Sequence, residues 1–230
     1  MAKSTFLQLC QATRRACGLP GSGPTTVTGQ VLQMEKVVEF VALADAEIQG
    51  KWFDWDFLHV STWSSSTVIG TAAVSAPTTI GVWDEDSFYL DYSTSNYKKL
   101  PVLPHKDWRA NYRQGVKVAQ QPSHIVIMPD LSLILEPKPD AIYSLTADYW
   151  ARPVKMTADS DTSPIPEEYE RIIVARAKIM YGEDIAAADL IISGQNEYDD
   201  LLDKLEAKYL PGQDRIRRSS DTGMITVRPE

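Results

Sequence analysis

The residues able to do chemistry are few and scattered along this 230-residue chain. Three acid pairs occur, Asp54-Trp55-Asp56, Asp84-Glu85-Asp86 and Asp159-Ser160-Asp161. Each resembles the start of a carboxylate cation loop. None carries the glycine that a calcium loop needs after its third ligand. The three histidines, His59, His105 and His124, stand in separate segments, with no H-x-x-x-H pair. His59 and His124 fall in predicted strands, where an ordinary sheet histidine is the plainer expectation. The two cysteines, Cys10 and Cys17, lie on one predicted helix, two turns or roughly 10 Å apart, too far for a disulfide within it. They read as two small apolar residues on one buried face. No phosphate-cradling G-x-x-x-x-G-K-[ST] or G-x-G-x-x-G occurs, since Gly18, Gly21 and Gly23 have the wrong spacing and precede a linker. Catalysis is therefore not expected, and neither a cofactor nor a metal is assigned. A small metal-dependent hydrolase with an acidic site is the one enzymatic alternative.

Composition narrows the classes further. The chain is 43% hydrophobic and 23% charged, the balance of an ordinary globular protein. Its formal net charge is −8, which argues against a whole-surface grip on nucleic acid. Residues 153–210 hold 6 basic against 13 acidic residues, so nearly all the acidic excess sits there. No apolar run approaches the roughly 20 residues that span a bilayer. The opening MAKSTFLQLCQATRR lacks the apolar core and cleavage site of a signal peptide, so folding in a reducing cytoplasm is expected.

The elements that must position these residues fall into three parts. Thr5 and Gln8 have capping-box spacing, and Phe6, Leu9, Cys10, Thr13, Ala16 and Cys17 follow at helical intervals up to Gly18. After the breaker-rich Leu19–Pro24, a second helix is expected from a cap near Thr28. Its stripe is Val31, Met34, Val37, Val38, Val41, Ala44 and Ile48, with Glu35, Glu39, Asp45 and Glu47 off it or at its edge. Residues 59–152 turn to strand-like sequence. Ser123–Met128 and Leu131–Glu136 flank Pro129-Asp130, and Ala141–Trp150 alternates, which predicts an antiparallel meander of three strands. A short helix is predicted over Lys106–Gln114. Helix returns after Ser163-Pro164-Ile165-Pro166, with Tyr169, Ile172, Ile173, Arg176, Ala177 and Met180 on one stripe and Gly182 as its stop. A last helix is predicted over Ala186–Tyr209, carrying Tyr198, Leu201, Leu202 and Leu205 on one face and weakened by Ser193-Gly194. The tail is polar and carries Arg215, Arg217 and Arg218.

The expected fold is thus α+β. The N- and C-terminal helices (1–58 and 153–210) form a helical bundle, 59–152 is an inserted antiparallel β-rich domain, and 211–230 is an extended C-terminal tail. Between helix and insert, Trp52-Phe53-Asp54-Trp55-Asp56-Phe57 packs four aromatics into six residues. They read either as a core plug where the helices meet the sheet or as part of a subunit interface anchored by Trp52 and Trp55.

The order of these features resembles tailed-bacteriophage head-to-tail adaptor proteins, the head-completion or connector family. The likeness is carried by Thr5–Gln11, the Gly-Ser-Gly-Pro linker, Thr28-Gly29-Gln30, the helix ending in Ile48-Gln49 and the Trp-rich block. It continues through Ala147-Asp148-Tyr149-Trp150, Ile165-Pro166-Glu167-Glu168-Tyr169, Arg176-Ala177 and Tyr198…Leu201-Leu202…Leu205. The resemblance implies a structural virion protein in the neck, made and assembled in the host cytoplasm. Its expected partners are the portal protein, tail or nozzle proteins and copies of itself in a dodecameric ring. The implied ring joins the portal vertex to the tail, with DNA passing through its channel without specific binding. Arg215, Arg217, Arg218, Trp52 and Trp55 are then candidates for portal or subunit contact. Asp189, Glu197, Asp199, Asp200 and Asp203 are candidates to face the channel. Another neck component, a stopper or tail-completion protein, is the structural alternative. No membrane is expected as a partner.

Overall fold

A computed structural model describes residues 3–93, 96–114 and 118–210. In chain order the elements are α1 (Phe6–Ala16), α2 (Gln33–Gly50), β1 (His59–Ser66), β2 (Ala73–Val74), β3 (Ile80–Trp83), β4 (Tyr89–Ser93), β5 (Asn96–Lys99), α3 (His105–Asn111), β6 (His124–Ile127), β7 (Leu133–Glu136), β8 (Ser144–Ala151), α4 (Arg171–Asp184) and α5 (Ala188–Tyr209). The fold mixes helices with antiparallel sheet. The chain divides into two compact units, Met1–Phe57 with Pro153–Glu230, and Leu58–Arg152.

In the first unit α4 packs against α1, α2 and α5, and α1 also packs on α2. This explains why the stripe read from its sequence is too narrow. Ile172, Ile173, Val174, Ala175, Ala177, Ile179 and Tyr181 are all buried, because three helices cover α4. Gly182 does not stop it. The helix runs on to Asp184, and a Cβ at Gly182 would stand 3.1 Å from the Leu190 Cβ and 3.2 Å from the Ile191 nitrogen. Gly194 has the same purpose in α5: a Cβ there would meet the Ile179 Cγ1 at 2.8 Å. Both glycines let α4 and α5 approach closely, which outweighs their intrinsic cost of about 1 kcal/mol in a helix.

Two helix starts behave differently. The capping box of α1 is complete: the Gln8 amide donates to the Thr5 hydroxyl at 3.3 Å, and the Thr5 amide to the Gln8 side-chain oxygen at 2.9 Å. Gly18 follows at φ +66°, the left-handed position expected of it. By contrast α2 begins at Gln33, not near Thr28. The Asp159 carboxylate takes the Val27 amide at 2.6 Å and the Thr26 hydroxyl at 3.1 Å, holding that stretch as loop. Val31, expected in the buried stripe, is 69% exposed. The return helix also starts late. Glu167–Tyr169 forms a single 3-10 turn before α4.

The second unit holds two antiparallel sheets. One runs β1-β8-β4-β5, with β3 also paired to β8; the other runs β2-β7-β6. Leu90, Leu100, Ile125, Leu133, Leu135 and Leu145 are fully enclosed in the core that they share. The hairpin through Pro129-Asp130 forms as read, with Ile125 opposite Leu135. The three-strand meander does not. β8 joins the other sheet, where it pairs with β1 on one side and with β3 and β4 on the other. Pro137 and Pro139 follow β7 and supply no amide for a tight return, and β2 occupies the open edge of β7. The short helix is α3, with Trp108 inside it and Tyr112 just past its end.

Candidate interaction surfaces

Within the first unit the segment after Pro153 is bound to the N-terminal elements by three acids. Asp45, expected at the edge of the α2 stripe, is fully buried. Its carboxylate accepts the Ser163 hydroxyl at 2.5 Å and the Gln49 side-chain amide at 2.7 Å. Gln49 in turn accepts the Val154 amide at 3.2 Å. Burial pushes the Asp45 carboxyl up to about 6, while Ser163, Gln49 and Lys3 pull it back. Glu170, also buried, accepts the Ser4 amide on both oxygens, at 2.9 and 3.1 Å. Asp159 holds the α1–α2 linker. Asp161 collects the Thr157 and Ala158 amides at 2.7 and 2.8 Å, which holds its carboxyl below the ordinary range. The Asp159-Ser160-Asp161 pair is thus a fastening for backbone amides.

The aromatic block is also partly absorbed by packing. Trp55 is fully buried; its indole N–H donates to the Ile48 carbonyl at 3.1 Å and its ring stacks on Phe57 at 5.1 Å. The side chain is thus enclosed within the single chain. Trp52 is half-buried and donates to Glu206 of α5 at 3.0 Å. Phe57 meets the Tyr209 ring edge-on at 6.1 Å, so the block ties the end of α2 to the end of α5. Phe53 is the exposed aromatic of the block, at 63%.

Asp189, Asp199, Asp200 and Asp203 are exposed on the face of α5 away from Tyr198, Leu202 and Leu205. Glu197 is half-buried on the flank and pairs with Arg171, whose guanidinium is pushed further up by that contact. Asp200 pairs with Lys204 at 2.6 Å, and Asp199 accepts the Gln195 amide at 2.8 Å. The acid face is therefore partly neutralised by its own unit. Arg215, Arg217 and Arg218, with the 211–230 tail, lie outside the described residues.

The remaining candidates carry little reactivity. Cys10 and Cys17 are free and buried, and burial pushes their thiols up to about 12 and about 11. Such thiols are poor nucleophiles. A cleft of about 530 Å³ opens between α1 and the start of α4, with Arg15, Arg171, Glu167 and Glu170 around apolar Leu9 and Val174. His105 lies in α3. His124 lies in β6, where its Nδ1 shares a hydrogen with the Ser123 hydroxyl at 2.9 Å. His59 is the exception, since the fold gathers it with Asp84 and Asp148. Among the described residues no helix is long and apolar enough to cross a membrane.

Two comparisons complete the picture. A family model described as SU10 adaptor protein matches residues 4–226, and no curated protein matches the chain. A match over almost the full length shows the family: the chain belongs to the SU10 adaptor proteins, a family of phage head-to-tail adaptors.

Proposed function

We propose that this phage structural adaptor forms the ring that joins the portal vertex to the tail and lines part of the DNA channel. The family match over residues 4–226 carries this reading. In it, 1–58 and 153–210 form a helical bundle around the channel, and the 59–152 domain is inserted from it. Twelve copies make the ring in the neck of the virion, assembled in the host cytoplasm before attachment. The portal protein binds on one side and tail or nozzle proteins on the other. The 211–230 tail, through Arg215, Arg217 and Arg218, pairs with acidic surface on the portal or a neighbouring copy. Trp52 contributes from the rim of the aromatic block.

The test is co-purification with the portal protein followed by negative-stain imaging. A dodecameric particle with a central hole is the expected result. A chain lacking 211–230 should fold as before and fail to attach. Normal attachment by that truncated chain would reject the role of the tail, and a well-behaved monomer beside the portal would reject the ring.

The acids of α5 give a second test. In this reading Asp189, Glu197, Asp199, Asp200 and Asp203 lie along the DNA path and repel phosphates within about one Debye length, roughly 8 Å at physiological salt. Asp199→Lys, Asp200→Lys and Asp203→Lys combined should slow ejection and make it salt-dependent. The fold tolerates the change, because the Asp200–Lys204 pair is exposed and such pairs contribute at most about 1 kcal/mol. Ejection at the wild-type rate at low and high salt would assign these acids to open solvent.

A further inference from the structure

We propose that His59, Asp84 and Asp148 form a divalent-cation site on the outer face of the five-stranded sheet. Sheet register brings them together. Leu145, Ala147 and Tyr149 of β8 are buried, so alternation turns Asp148 to the opposite, outer face. His59 of β1 stands across from Trp150, two places along β8 from Asp148 and therefore on the same face. On the other side of β8, Trp83 stands across from Tyr149 and is buried with it, so the next residue, Asp84, turns outward. The Asp84 amide donates to the Asp148 carbonyl at 3.0 Å, which extends the ladder by one step. The central strand thus supplies one ligand, and each flanking segment supplies another.

The distances suit a cation. One ligand atom from each side chain, an imidazole nitrogen and two carboxylate oxygens, lies within 4.8 Å of the others. The His59 Nε2 to Asp148 Oδ2 distance is 3.6 Å. Around a metal with bonds of about 2.0–2.2 Å, ligand atoms stand roughly 3–4 Å apart, so side-chain rotation alone closes the site. The supporting shell is in place. The Asp86 amide donates to Asp84 Oδ1 at 3.0 Å, which sets the carboxylate's orientation. The Ser87 hydroxyl donates to the Asp84 carbonyl at 2.7 Å and accepts the Asp148 amide at 2.8 Å, which locks the two acids' backbones together. Lys99 of β5 pairs with Asp86 at 2.9 Å, and Asp84 is a weaker charge partner of the same ammonium.

The donor set names the metal class. One imidazole and two carboxylates suit zinc or manganese, with water filling the remaining positions. Calcium is a poorer match, because it takes six to eight oxygens. The bound ion would clamp β1, β8 and the β3–β4 turn. Its role would be to stiffen the unit that contains it.

The full-length chain, stripped with EDTA and dialysed, should bind about one zinc or manganese ion in calorimetry. Saturating metal should raise the thermal midpoint by about 5 °C or more. His59→Gln and Asp148→Asn should each weaken binding at least about tenfold and remove the thermal shift. His124→Gln, in the other sheet, should leave both unchanged. Absence of saturable binding overturns the proposal. So does binding that survives in the His59→Gln, Asp148→Asn double variant, or binding lost equally in His124→Gln. If Asp148→Asn does not fold, His59→Gln alone decides, read by the signal of bound manganese in electron paramagnetic resonance.

Discussion

Ile173→Asp is expected to abolish the cooperative unfolding transition of the helical unit. Ile173 is fully buried on α4, the helix that α1, α2 and α5 all cover. The substitution loses about 1.5–3 kcal/mol of apolar burial. It also buries a carboxylate on a fully enclosed position, at several kcal/mol more or as a protonated acid. Domains of this kind are stable by about 5–15 kcal/mol, so the sum removes most or all of that margin. Val38→Asp is the graded comparison. Val38 sits on α2 but is only half-buried, so its carboxylate can reach water and the loss is smaller. Circular dichroism melts of the two variants measure the contrast. A wild-type midpoint for Ile173→Asp would show that α4 is not the centre of the unit.

What could be read without the structure was local. The capping box of Thr5 and Gln8, the left-handed Gly18 and the Pro129-Asp130 hairpin each depend on residues a few places apart, and each forms as read. The errors have distant causes. Thr28 fails as a cap because Asp159 holds its neighbours. Asp45 looks like an edge residue because its partner Ser163 is far along the chain. β2, β3 and β5 are two to four residues long, too short for alternation to register. Gly194 looks like a weakness because the Ile179 side chain that demands it belongs to another helix. The same holds for the sites. In the sequence Asp84 is a member of one of three acid pairs, and His59 an ordinary sheet histidine. Only strand pairing puts them beside Asp148, and no spacing in the chain encodes that pairing.

Asp45 supplies the second large effect, a loss of stability as pH rises. Its carboxyl is pushed from 3.8 to about 6, chiefly by burial. Between those values the folded chain holds a proton that the unfolded chain has released. Stability therefore falls as pH climbs through this window. The penalty is absent below about 3.8 and complete above about 6. A shift of this size corresponds to about 3 kcal/mol. Other carboxyls act in the opposite sense. Asp86, Asp130, Asp161 and Glu168 are held below their ordinary values by hydrogen bonds, and their contributions are lost as pH falls. The clean readout is therefore the difference between wild type and Asp45→Asn in urea unfolding of the whole chain. The asparagine carbonyl keeps the Ser163 hydroxyl, but its NH2 faces the Gln49 amide, at a fixed cost of about 1 kcal/mol. Relative to this variant, wild type should be the more stable at pH 4 and should lose that advantage by pH 7. A difference that stays constant from pH 4 to pH 7 would mean that Asp45 ionises in the folded chain at no cost.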